Sequence, residues 1–87
     1  MAKHTDHIKS YPGSHKELAE NLGDLYYDSL ADFLQQLSEK MKQDGDADNR
    51  RGRPELAAEL LACSQHLQEA AKHIDTAWAI CRPYIDK

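Results

Sequence analysis

Four acidic residues have the spacing of a hard-cation site. Asp44, Asp46, Asp48 and Glu55 occupy positions 1, 3, 5 and 12 of a twelve-residue stretch, Asp-Gly-Asp-Ala-Asp-Asn-Arg-Arg-Gly-Arg-Pro-Glu. In a loop, that spacing lets three short carboxylates and one bidentate glutamate converge on a divalent cation, which takes oxygen ligands. A second set lies further along, where His66, Glu69 and His73 ride one border of an apolar stripe beside Cys63. His66 and Glu69 are three apart and Glu69 and His73 four apart, so on a helix either pair can touch one ion. The two histidines lie roughly 10 Å apart along a helix axis and cannot share it.

Over those twelve residues the chain resembles the calcium-binding EF-hand family, and the resemblance implies calcium bound between two helices. It departs from that pattern at Asn49, where glycine is the rule, and at Arg51, where an aliphatic residue is. Arg50, Arg51 and Arg53 also place three positive charges where the cation would sit, and Pro54 stiffens the approach of Glu55. The leading reading is therefore a solvated turn in which aspartates and arginines neutralise one another, with no bound metal and no cofactor. Metal binding, by the loop or by the His/Glu set, stands as an alternative.

Nucleophilic catalysis has little to build on. Cys63 and Cys81 both fall on a stripe expected to be buried, where a thiol is inert. No glycine-rich phosphate cradle, nucleophile elbow or zinc-protease helix motif is present. The expectation is a protein that is not an enzyme. The two cysteines, 18 residues apart on one helix, stand about 27 Å from one another, too far for a disulfide within the chain.

The elements that position these residues follow from periodicity. Ser14 to Glu17 reads as a capping box, and from there Leu18, Leu22, Leu25, Tyr26, Leu30, Phe33, Leu34, Leu37 and Met41 recur at helical spacing. This predicts a first helix over about 14–43, ended by Asp44-Gly45. A loop is expected over 44–53, and a second helix over about 54–82, opened by Pro54 and stopped before Pro83. Its expected core stripe is Leu56, Leu60, Cys63, Leu67, Ala70, Ala71, Ile74, Trp78 and Cys81. Residues 1–13 read as a flexible amino-terminal arm, and 14–87 as a single domain.

The fold class expected is all-α, two long antiparallel helices forming a hairpin. The apolar arc of the first helix covers nearly half its circumference, more than the ~100° stripe that one neighbour buries. Two helices side by side make one layer, and a layer cannot enclose a core. The expectation is therefore a homodimer, two hairpins face to face as a four-helix bundle.

Composition limits the partners. With 87 residues, 30% charged, 40% hydrophobic and a formal net charge of -4, the chain is an ordinary acidic globular sequence. That balance argues against nucleic acid, whose phosphates need a concentrated basic surface. Only Arg50, Arg51 and Arg53, doubled in a dimer, offer one, which makes RNA binding a further alternative. No apolar run reaches the roughly 18 residues of a membrane span, and no signal peptide is evident, so the expected location is the cytoplasm. The function expected is that of a small interaction or scaffold protein for an unidentified protein partner. Its candidate contact surfaces are an acidic ridge with Asp24, Asp28 and Asp32, the arginine loop, and the arm.

Overall fold

In the computed structural model, residues 4–85 are described, and among them the chain is all-helical. Three helices follow one another: α1 His15–Gly23, α2 Tyr27–Arg50 and α3 Pro54–Ile85. The first expected helix is thus two helices, and the loop expected over 44–53 shrinks to residues 51–53.

The break between α1 and α2 falls at Asp24, Leu25 and Tyr26. Asp24 caps α1, its N–H donating back to the Glu20 and Leu22 carbonyls. Leu25 N–H tightens the end with a three-residue bond to Leu22 O. Tyr26 then turns extended, with φ -53° and ψ 142°, and starts α2. Gly23 followed by aspartate is a weak helix end, and the unbroken leucine periodicity conceals it. The capping box at the start of α1 is formed as expected: Ser14 Oγ accepts from Glu17 N–H, and Ser14 N–H donates to Glu17 Oε1.

Gly45 does not end a helix; it is buried inside α2. A Cβ there would lie 3.0 Å from two carbons of Leu61 and 3.3 Å from the Ala57 carbonyl. The glycine serves a close approach of α3, not a left-handed cap. The positive φ sits later, at Gly52 with 76°, inside the short turn. Nor does Pro83 stop α3. In the last turn its missing N–H leaves out one hydrogen bond, and the helix runs on to Ile85.

Helices α2 and α3 pack along their length, and residue pairs approach in opposite chain sense. Tyr26 meets Trp78, Ser38 meets Ser64, and Gly45 meets Ala57. The buried residues explain how close they come. On α2, Ala31, Ser38 and Gly45 are buried seven residues apart; on α3, Ala57, Ser64 and Ala71 repeat the interval. Both helices therefore present a seam of small side chains at heptad spacing, with the backbones drawn together along it.

This corrects most of the expected core. Ala71 of the expected stripe is buried, but no leucine or aromatic of the stripes is; among the described residues the buried apolar ones are Ala31, Ala57 and Ala71, and the largest fully buried side chain is Ser38. Cys63 is exposed and Cys81 half-buried, both as free thiols. Leu56, placed in the core by its period, is 46% exposed. The large apolar residues lie beside the seam. Leu34 and Met41 follow a seam residue of α2 by three, and Leu60, Leu67 and Ile74 do the same on α3. Where two helices pair in opposite chain sense those flanks lie on the same side, so they form one apolar face of half-buried side chains. Opposite it, Gln35, Lys42, Gln68 and Asp75 follow the seam by four and make a mostly polar side, with Leu61 the apolar residue on it.

The shape is that of a slab. Its extents are 53 × 28 × 14 Å and its radius of gyration is 15.7 Å, against about 12 Å for a compact chain of this length. Its surface of 7058 Å² exceeds by roughly a third the ~5,200 Å² of a compact monomer of this mass.

Candidate functional site

The acidic residues at cation-site spacing sit on a helix. Asp44, Asp46 and Asp48 belong to the last two turns of α2, and Glu55 to the first turn of α3. Residues two apart on a helix point about 200° from each other, so Asp46 points away from Asp44 and Asp48, which lie one turn apart on the same side, and the three cannot converge. Lys40 holds Asp44 at 2.7 Å and Lys42 holds Asp46 at 3.4 Å, each one turn away. The segment expected as a loop is helical as far as Arg50, so these carboxylates do not have the arrangement that the EF-hand spacing requires.

Asp48 has a different part. It is 8% exposed, and Arg51 and Arg53 reach its Oδ1 at 3.7 and 3.4 Å. Its carbonyl accepts from the N–H groups of both arginines at 3.2 and 2.9 Å. Asp48 thus ties the three-residue turn to the end of α2. Two of the three arginines offered to a partner face this carboxylate, which takes charge from any basic patch. Arg50 is exposed.

The second constellation is spread over the outer side of α3. His66 Nδ1 lies 3.8 Å from Glu69 Oε2 with both side chains more than two-thirds exposed, and His73 is exposed. Among the described residues no group of three or more His, Cys, Asp or Glu side chains is placed to hold a metal ion.

The acidic ridge is divided by the break in the helix. Asp24 caps α1, while Asp28 and Asp32 lie on the first turns of α2, all three exposed. Asp28 Oδ1 accepts from Ser29 N–H at 2.8 Å. The described part of the arm makes specific contacts with α1. Tyr11 Oη accepts from Asn21 Nδ2 at 2.6 Å, and His15 Nε2 lies 2.9 Å from the Asp6 carbonyl. Residues 1–3 of the arm lie outside the described residues.

The capping box shifts one titrating group. Hydrogen bonds from Ser14, backbone first and hydroxyl second, lower the carboxyl pKa of Glu17 below its ordinary value. Charge at the positive end of α1 is thereby favoured.

A groove that the periodicity did not reveal opens where α1 leaves α2. It is an open depression of about 340 Å³ lined by Asp24, Leu25, Tyr26 and Tyr27 and by Trp78 and Ile85. The Tyr26 and Trp78 rings meet at 5.9 Å between centroids, tilted by 53°. The signal for it in the sequence is the Tyr26-Tyr27 pair after Gly23-Asp24, whose meeting with Trp78 depends on how α2 and α3 are aligned.

Fold and surface together define an all-helical protein built on two closely paired helices, with one apolar face. No protein-family model, no curated protein and no solved structure matches the chain. No helix among the described residues is long and apolar enough to cross a membrane.

Proposed function

We propose that this protein is a non-catalytic interaction module and acts as a homodimer, two α2·α3 hairpins packing their apolar faces together as a four-helix bundle. The observation that carries the reading is the apolar face itself. Leu34, Met41, Leu60, Leu67 and Ile74 line one side of a slab, and none of them is buried. These side chains flank the seam of small residues that joins α2 to α3, and each keeps part of its surface exposed. The surface in excess of a compact monomer, on the order of 1,900 Å², is more than twice the ~800 Å² each partner contributes to a standard stable interface. A second copy supplies a face of the same shape and chemistry, and closed two-fold pairing is the commonest arrangement of identical chains.

In this reading the outward surfaces remain for a further protein partner: the acidic residues Asp28 and Asp32, and Arg50 at the turn. The compartment proposed is the cytoplasm.

Sedimentation equilibrium over a hundredfold range of concentration tests the dimer. The expected result is twice the chain mass of 9.9 kDa, reduced to one chain mass by Leu34→Asp or Leu67→Asp. Gln35→Asp and Gln68→Asp, on the polar face, are expected to leave the mass unchanged. A single chain mass at every concentration, with helicity retained, would overturn the proposal.

A further inference from the structure

The groove between α1, α2 and α3 has a chemistry that the apolar face lacks. Its walls are three aromatic rings, Tyr26, Tyr27 and Trp78, and Asp24 adds a carboxylate at its edge. Tyr26 is 65% exposed and Tyr27 38%, so packing within the chain leaves much of their ring surface available. The tilted contact of Tyr26 with Trp78 makes a corner, not a closed stack. Gly23 lies at the rim, where a side chain would meet nothing within 4 Å. None of the residues lining the groove carries a positive charge, and Asp24 is the one acidic residue among them.

Aromatic faces carry partial negative charge and attract a cation held within about 6 Å of the ring centre. An apolar ligand would take water from Asp24 without replacing its hydrogen bonds, at a cost in free energy. A bare ammonium would itself resist desolvation. A methylated ammonium meets both demands, because its methyl groups pack on the rings while its diffuse charge answers the carboxylate. At about 340 Å³ the groove falls at the lower end of the range of small-ligand sites, roughly 300–1,000 Å³. We infer that the groove formed by Asp24, Tyr26, Tyr27 and Trp78 binds the quaternary ammonium group of a small organic cation.

The protein has a single tryptophan, so its fluorescence reports on this groove. Choline chloride is titrated at constant ionic strength, beside its uncharged isostere 3,3-dimethylbutan-1-ol. The expected result is a saturable change in Trp78 emission with choline, and a half-saturating concentration at least about tenfold higher for the isostere, in keeping with a contact governed by charge. Asp24→Asn keeps a residue suited to a helix end and is expected to raise the half-saturating choline concentration at least about threefold. Tyr27→Leu is expected to abolish saturation, with helicity checked by circular dichroism. An equal response to the isostere, a response to choline that does not saturate, or an Asp24→Asn protein that binds choline like the parent would overturn the inference. Emission that shifts when the protein alone is diluted, with no response to choline, would assign the groove to a second copy of the chain and overturn it as well.

Discussion

Ser38 and Ser64 exchange hydrogen bonds across the seam between α2 and α3. Each hydroxyl donates to the other residue's backbone carbonyl at 2.9 Å, and the two Oγ atoms stand 3.0 Å apart. Both side chains are buried, at 0% and 3% exposure. Only a small residue fits where the backbones come this close, and only a hydroxyl there can reach the opposite carbonyl. The pair thus marks one register, with Gly45 and Ala57 seven residues away on one side and Ala31 and Ala71 seven away on the other.

A double-mutant cycle on this pair has a definite expected form. Ser38→Ala or Ser64→Ala alone removes one hydroxyl-to-carbonyl bond across the helices, at about 1 kcal/mol each, while the remaining hydroxyl keeps its bond to the opposite backbone carbonyl. The double variant removes both bonds. Its loss is expected to equal the two single losses added together to within about 0.5 kcal/mol, the small coupling arising from the contact between the two Oγ atoms. Urea unfolding of the four proteins at one fixed concentration measures this, and a single variant that loses no stability would contradict the exchange.

Glycine-to-alanine changes distinguish Gly45, at the close contact of α2 with α3, from Gly23 at the end of α1. At Gly45 the added methyl meets the Leu61 side chain at 3.0 Å and the Ala57 carbonyl at 3.3 Å. The helix-propensity gain of about 1 kcal/mol is therefore expected to be lost to separation of the seam, with a net loss of about 1 kcal/mol. At Gly23 nothing lies within 4 Å, and alanine is expected to stabilise α1 by up to about 1 kcal/mol. Thermal unfolding of G45A and G23A should move the midpoint in opposite directions.

The contrast also shows what was legible in the sequence. Helicity, the capping box at Ser14 and Glu17 and the start of α3 at Pro54 all depend on local chemistry, and local pattern revealed them. The choice of core did not follow, because leucine periodicity reports which side of a helix is apolar and not how near a neighbour stands. The heptad of Ala31, Ser38 and Gly45 was present, but Ala31 and Ser38 add little to an apolar periodicity and Gly45 read as the end of a helix. Gly45 is ambiguous for the same reason: a helix end and a close helix contact both select glycine. Of the candidate site, the charged residues were recognised by type. Their separation along α2 and the meeting of Tyr26 with Trp78 depend on where the helices end and how they align.

Asp48 provides a test that distinguishes a tied turn from a cation loop. Removing its carboxylate by Asp48→Ala breaks the pairs with Arg51 and Arg53, whose side chains are more than half exposed, so the loss is expected to be modest, about 1 kcal/mol. It should shrink in 1 M salt, where exposed charges are screened. Calcium or a chelator is expected to leave the unfolding midpoint of the parent protein unchanged. Calcium-dependent stabilisation lost in the Asp48→Ala protein would contradict the turn described above.

The capping box predicts a pH dependence confined to α1. Glu17 has its carboxyl pKa lowered in the folded state by the Ser14 N–H and hydroxyl. A group with a lowered folded pKa favours the folded form above its unfolded value, about 4.3 for glutamate, and that contribution disappears as pH falls through the folded value. Between neutral pH and that unfolded value the helix is expected to be unaffected. Below it, residues His15–Gly23 should lose helicity progressively, while the seam residues of α2 and α3, which hold no carboxylate, keep theirs. Backbone chemical shifts followed from pH 6 to pH 2 measure the two segments separately. Glu17→Gln retains an acceptor for the Ser14 N–H without titrating, so it should remove the acid step from α1. A Glu17→Gln protein whose α1 still unwinds over the same range would assign the step to another group.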